Sequence, residues 1–236
     1  REIAARLRDD AGVEISVLVP DTGSCFPDEM AVEEYRDALL PSIRLCVECG
    51  VRILRVCTRA PVAKRVPGEL YEQRFAQLVA NWRHAADVAA DVGVALSCEF
   101  EPCFWLNRPS ELERLAVAVD HPSFGYMIDT SHLMMMSKGS GQLGEPEIPG
   151  GGIIECAKRL QPWLNHLHLA DSDGTLLRPG GTSTHLPLGD GELHFPDLLS
   201  ALEPRVHQLE WWSVDLFGRT VTDRDLRVCA DHVQEL

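Results

Sequence analysis

The stretch Asn165-His166-Leu167-His168-Leu169-Ala170-Asp171-Ser172-Asp173-Gly174 decides how this chain is read. Side chains of a strand alternate between its two faces. His166, His168 and Ala170 therefore share one face, and Leu167 and Leu169 share the other. An apolar face against covering helices and an imidazole-bearing face toward an interior are what a metal-binding barrel strand requires. The acidic, glycine-containing run that follows reads as the loop where the strand opens to solvent. A buried histidine that only finds a hydrogen-bond partner is commoner than a ligand. The reading therefore depends on whether other strands also end in ligands.

Working outward, apolar runs at strand spacing occur at 13–20, 51–58, 93–100, 124–129, 164–170 and 206–214. Between them lie helical patterns: 29–50 closed by Gly50, and 68–92 closed by Gly93. A further helix opens on the capping-box sequence Ser110-Glu111-Leu112-Glu113, and others cover 150–160, 196–202 and 223–236. Residues 1–10 look like the tail of an amphipathic helix. Strands alternating with helices imply right-handed βαβ units and a parallel sheet. No G-x-G-x-x-G follows a strand, which argues against a doubly wound sheet. The expected fold is α/β, a TIM (β/α)8-type barrel lacking or truncated at its first strand, since six strands are legible where eight are needed. No repeat or linker divides the chain, so one domain over 1–236 is expected. Two long glycine-containing loops, 137–152 and 171–191, follow strands on the side where barrel enzymes build their sites, and they read as lids.

Composition excludes several classes. A net charge of −14, from 22 Lys+Arg against 36 Asp+Glu, leaves little with which to build the basic face of a nucleic-acid binder. No run reaches the roughly 18 apolar residues of a membrane span, and no signal peptide pattern is visible. The eight cysteines are scattered. Cys46 and Cys49 form a C-x-x-C inside a helical pattern with no second pair, so they read as reduced core thiols, and a cytoplasmic setting is expected. Whether the chain forms a homo-oligomer is left open by the sequence.

The strand ends carry the chemistry. Ala95, Ser97 and Glu99 share a face, and Glu99 ends it; Asp129 ends the face of Gly125 and Met127. His168 lies one step outward from His166, and Glu210 shares a face with Gln208 and Trp212. Singly, each acid could be a solvated strand-end carboxylate. Together, Glu99, Asp129, His168 and Glu210 offer hard oxygens and one imidazole to a single divalent ion, suited to Mn²⁺ or to Mg²⁺, Co²⁺ or Zn²⁺. His132, three residues after Asp129, and His185, on the second long loop, are placed to contact a substrate. Trp105 and Trp212 are candidates for the apolar face of a sugar ring, with packing as the competing role. Glu101 shares the parity of Glu99 but lies beyond the regular alternation. Met134-Met135-Met136 reads as core or loop packing.

These residues carry a resemblance. The order Glu99, Asp129-x-x-His132, His168-Leu-Ala-Asp171, His185-x-x-x-Gly189-Asp-Gly191 and Glu210 is similar to the xylose-isomerase-like barrel superfamily, which includes sugar phosphate isomerases/epimerases and AP endonuclease family 2. Glu99-Phe-Glu-Pro102, Asn107-Arg-Pro-Ser-Glu111, Ser172-Asp-Gly-Thr175, Thr182-Ser-Thr-His185 and Trp211-Trp-Ser-Val-Asp215 resemble the isomerase/epimerase branch. The resemblance implies metal ligation by Glu99, Asp129, His168 and Glu210, with Glu99 and Glu210 as the acid/base pair. It implies a small carbohydrate substrate and proton transfer through a metal-stabilised enediolate. A lyase cleaving keto-glycosides by elimination would share this chemistry, and a non-catalytic metal- or sugar-binding barrel is a further alternative. The AP endonuclease reading is the weakest, because the early strands lack the additional histidines of a three-metal site. Arg59, Lys64 and Arg65 could contribute to a phosphate nest.

Overall fold

The computed structural model describes residues 2–20, 26–58 and 68–236, apart from the side chain of residue 3. Arg59, Lys64 and Arg65 lie outside the described residues. The described elements are α1 (Glu2–Ala11), α2 (Val32–Cys49), β1 (Ile53–Cys57), α3 (Gly68–Ala90), β2 (Ala95–Glu99), α4 (Pro109–Val119), β3 (Phe124–Asp129), α5 (Thr130–Ser137), α6 (Gly152–Leu160), β4 (Leu164–Leu169), α7 (Phe195–Ala201), β5 (Trp212–Val214) and α8 (Asp223–Glu235). The five strands form one parallel sheet in the order β1-β2-β3-β4-β5. Each strand lies next to its successor and the order never reverses, whereas a doubly wound sheet has a switch point.

The contacts group into two compact units. The first comprises the described residues up to 98 together with 115–125. Its α2 stops where Gly50 turns left-handed (φ 73°) and its N–H caps the carbonyls of Cys46 and Val47, a conformation only glycine adopts cheaply. α2 and α3 pack through buried Leu39, Ile43, Leu78 and Trp82, and the Trp82 indole N–H donates to Tyr35 Oη (3.0 Å). The expected strand at 13–20 is reduced to a single bridge. Leu18 pairs with Leu54, its N–H donating to Ile53 O and its carbonyl accepting from Arg55. Val13 and Val19 stay about half exposed on either side, so burial gives no reason for the pairing to extend. Cys46 is buried, and burial with Cys49 nearby pushes its thiol up to about 12; the seven described cysteines are all free.

The second unit comprises 99–114 and the chain from 126 onward, among described residues. β3 is buried throughout its length and runs without a loop into α5, all eight of whose residues are buried. The methionine triplet 134–136 therefore lies in a core helix. Thr130 ties the strand ends together: its hydroxyl donates to Ala170 O (2.6 Å) and accepts from Ala170 N–H (2.9 Å). The expected strand at 206–214 is shorter in the structure. Residues Arg205–Gln208 form a 3₁₀ turn held by the Trp212 indole N–H on Val206 O (3.2 Å), and only Trp212–Val214 is strand.

Both long loops are tied down. Gln142 bonds Met136 O in α5 and Glu147 O and Glu147 N–H in its own loop, while Asn107 and Arg108 donate to Gly141 O, Leu143 O and Glu145 O. The Asn107-Arg108 motif thus braces the loop at 137–152. The loop at 171–191 folds back on itself, with antiparallel bridges Asp171–Leu186 and Leu176–Ser183. Its base is sealed by the buried Asp171 carboxylate, which accepts from the N–H groups of Ser172, Gly189, Gly191 and Leu193 at 2.8–3.0 Å. A Cβ on Gly191 would stand 2.2 Å from Asp171 Oδ1. Removing the carboxylate would strand several buried donors, at about 1–3 kcal/mol each before relaxation. Asp171→Ala is expected to lower unfolding free energy by at least ~3 kcal/mol, and Gly191→Ala to act on the same contact. Denaturant unfolding of the two single variants and the double variant should show strong non-additivity.

Candidate metal centre

Four strand ends bring together Glu99, Asp129, His168 and Asp215. Each contributes one ligand atom, and the four atoms lie within 4.8 Å of one another. Glu99 closes β2, Asp129 closes β3, and His168 lies next to the end of β4. Asp215 follows β5, positioned by parallel register: His168 pairs with Ser213, Leu169 with Val214, and Asp215 N–H donates to Leu169 O (3.0 Å). Asp129 is fully buried, and Glu99 and His168 nearly so.

Asp129 has two jobs, one for each oxygen. Oδ1 caps α5, accepting from Ser131 N–H (2.8 Å), His132 N–H (2.9 Å) and the Ser131 hydroxyl (2.6 Å). Oδ2 is buried and has no hydrogen-bond partner. His168 Nδ1 lies 3.3 Å from Glu99 Oε1 and 3.6 Å from Asp215 Oδ2, near enough for strong attraction yet without an aligned hydrogen bond. Asp129, His132 and His185 form a second group, with one ligand atom of each likewise within 4.8 Å of the others. His185 Nε2 is 3.8 Å from Asp129 Oδ1 and its Nδ1 is 3.7 Å from Asp215 Oδ2, and neither nitrogen is hydrogen-bonded.

The electrostatics follow from burial set against these neighbours. Burial disfavours a charged His168, but Asp215 and Glu99 outweigh it and push the imidazole up to about 10. Burial likewise opposes the Asp215 charge, yet His168 and His185 hold its carboxyl far below the usual range. His185 is raised against its burial by Asp215 and Asp129. His166, one step back on β4, goes the other way: burial first, then the neighbouring His168, lower it to about 4. Buried polar atoms are normally paired, and an orphan costs roughly 1–3 kcal/mol. Asp129 Oδ2 and His168 Nδ1 are such orphans, and they sit in a carboxylate-imidazole set suited to a divalent cation. The cluster fits a metal ion, which Glu99, Asp129, His168 and Asp215 could hold.

Of the residues singled out from sequence, Glu99, Asp129 and His168 come together, and His132 and His185 lie beside them with ring centroids 5.1 Å apart. Glu210 lies elsewhere, exposed in a bend before β5, and belongs to neither ligand group found among the described residues. Asp215, rather than Glu210, completes the group of four among the described residues. The parity count from Gln208 to Trp212 crossed a stretch that is not strand. An acid directly after the last apolar strand residue, as Asp129 follows Ile128, also occurs at Asp215 after Val214. Trp105 is buried after β2, and Trp212 is engaged through its indole N–H with the turn before β5. The aromatic beside the site is Phe217, 62% exposed, with its ring centroid 6.3 Å from that of His185.

The family model described as "xylose isomerase-like TIM barrel" matches residues 1–229. No curated protein sequence gives a significant match. Among solved structures, a D-tagatose 3-epimerase-like protein superposes with a TM-score of 0.74 at 17% identity, over 99% of this chain and 80% of that one. AP endonuclease, family 2, from Brucella melitensis gives 0.71 at 17%, over 98% and 82%. A xylose isomerase-like TIM barrel protein from Mycobacterium smegmatis in complex with magnesium gives 0.64 at 21%, over 97% and 74%. At these identities the likeness is one of fold. The match of the family model over nearly the whole chain, on a singly wound parallel α/β sheet, means that this chain belongs to the xylose isomerase-like TIM barrel family.

Proposed function

We propose that the protein is a divalent-metal-dependent sugar isomerase or epimerase that works by proton transfer. The observation that carries this reading is the convergence of Glu99, Asp129, His168 and Asp215, with buried oxygen and nitrogen atoms left unpaired. The likeness to an epimerase-like protein and to a relative complexed with magnesium supports it. A cation held there supplies positive charge beside adjacent substrate oxygens, stabilising the negative charge that proton removal creates. Glu99 and Asp215 approach His168 at 3.3 and 3.6 Å and are the two carboxylates available to take a proton from the substrate carbon and return it. His132 and His185 offer ring nitrogens to substrate hydroxyls, and Phe217 offers an exposed apolar ring beside them. Asp129, committed to the helix cap through Oδ1, serves as a fixed ligand rather than a base. Phosphodiester hydrolysis fits less well, since a net charge of −14 provides no basic footing for a nucleic-acid backbone.

Metal affinity tests the ligand set. Asp215→Asn and Glu99→Gln are each expected to weaken Mn²⁺ binding by ~100-fold or more, and Glu210→Gln to change it by less than about threefold. A large loss in Glu210→Gln with none in Asp215→Asn would reverse the assignment of the fourth ligand.

Protonation provides a second check. His168 in the metal-free protein titrates at about 10, so near pH 7.5 it carries a proton that a bound cation must displace. The Asp215 carboxyl, held far below its usual range, is already ionised there. Apparent affinity should therefore rise with pH by ~10-fold per unit over pH 6–9, with about one proton released. Calorimetry in buffers of different ionisation enthalpy reads that proton directly, and a heat independent of buffer would argue against His168 as a ligand.

The reaction itself is tested with a panel of keto- and aldo-sugars turned over in D₂O by the metal-loaded protein. Isomerisation or epimerisation conserves substrate mass apart from deuterium gained at carbon. Fragments would point to elimination, and turnover with no deuterium in product or recovered substrate would overturn proton exchange with solvent.

A further inference from the structure

The loop at 171–191 contributes more than His185 to the site. Ser183, fully buried, lies between two groups 51 and 52 residues away in sequence: its Oγ is 2.6 Å from Ser131 Oγ and 2.7 Å from His132 Nδ1. Ser131 Oγ is in turn 2.6 Å from Asp129 Oδ1. Each hydroxyl has one hydrogen, so the direction of every bond in this chain is fixed from the end at which that hydrogen is already spent. Asp129 Oδ1 accepts from the Ser131 hydroxyl as it does from two backbone N–H groups, which commits the Ser131 hydrogen to it. Ser131 must then accept from Ser183, and Ser183, its hydrogen spent, must accept from His132. The proton of His132 therefore lies on Nδ1.

We infer that Ser183 is a positioning residue that, through Ser131 and Asp129, holds His132 as the Nδ1–H tautomer and leaves Nε2 as the acceptor for a substrate hydroxyl. This deepens the reading proposed above and rests on it for the substrate. The relay itself concerns only residues of this chain. Neutral imidazole free of such constraint samples both tautomers, so an unfixed His132 would offer a donor at Nε2 for part of the time. An enzyme that must receive a hydroxyl proton at that position gains from excluding the wrong form, and a loop anchored at its base by Asp171 is a rigid support for the residue that does so.

The test is ¹⁵N-histidine NMR on the full chain after chelator treatment, at a pH where His132 is neutral, with the resonance assigned by its loss in His132→Gln. Wild type is expected to show a protonated Nδ1 and a bare Nε2. Ser183→Ala removes the acceptor and should shift the population toward Nε2–H, and Ser183→Thr, which keeps a hydroxyl, should restore the wild-type pattern. Ser131→Ala is the stricter case. It leaves Ser183 in place but frees its hydrogen to turn toward the ring, so the tautomer should change although the residue touching His132 does not. An Nε2–H tautomer in wild type, or an unchanged spectrum in both alanine variants, would overturn the inference. Loss of Mn²⁺ binding with an intact Nδ1–H signature would instead count against the metal reading alone.

Discussion

The two oxygens of Asp129 do different work, and most of the site depends on that division. Oδ1 takes three hydrogen bonds at the start of α5 and so fixes the carboxylate plane against the helix; Oδ2 is left bare and buried at the cluster. An N-cap is ordinarily a stabilising detail worth about 1 kcal/mol. Here the cap also aims the second carboxylate oxygen at the cluster. It is possible because β3 passes straight into α5, so the residue ending the strand is also the one opening the helix. The same junction sets His132 in the first turn of that helix, beside the group it serves.

Around this fixed point the other groups are delivered by backbone pairing. Parallel register brings His168 and Asp215 to the same level, and Thr130 bonds both backbone groups of Ala170, holding β4 next to the start of α5. The charges then balance through proximity. Carboxylates raise His168 and His185, and the two imidazoles in turn hold the Asp215 carboxyl far below its usual range, despite burial that opposes every one of these charges. Such a set is stable only when each charge has a close opposite partner. A divalent cation held there would compete with the histidine proton for the same attraction.

The loops show how glycine-rich stretches can be ordered without regular structure. Four backbone donors converge on Asp171, and Gly191 is glycine because a side chain would occupy the space of that carboxylate. The motifs 107–111 and 182–185 in the sequence act accordingly: the first braces the loop at 137–152 through Asn107 and Arg108, and the second carries Ser183 and His185 back to the cluster.

Much of this was legible in the residues alone. Strand–helix alternation gave the parallel α/β architecture, and period-two parity with an acid or imidazole at the strand end picked out Glu99, Asp129 and His168, because alternation is a local property of the backbone. Parity, however, says nothing about where a strand begins. The 3₁₀ turn at 205–208 and the register of β5 against β4 bring Asp215 rather than Glu210 to the cluster, and among the described residues the segment at 13–20 pairs only at Leu54. The relay from Asp129 through Ser131 and Ser183 to His132 spans some 50 residues and has no sequence period, so folding alone decides it. The sequence determined which side chains face inward at the ends of strands; tertiary structure decided which of those ends meet, because register and loop return depend on hydrogen bonds between segments that carry no trace of one another.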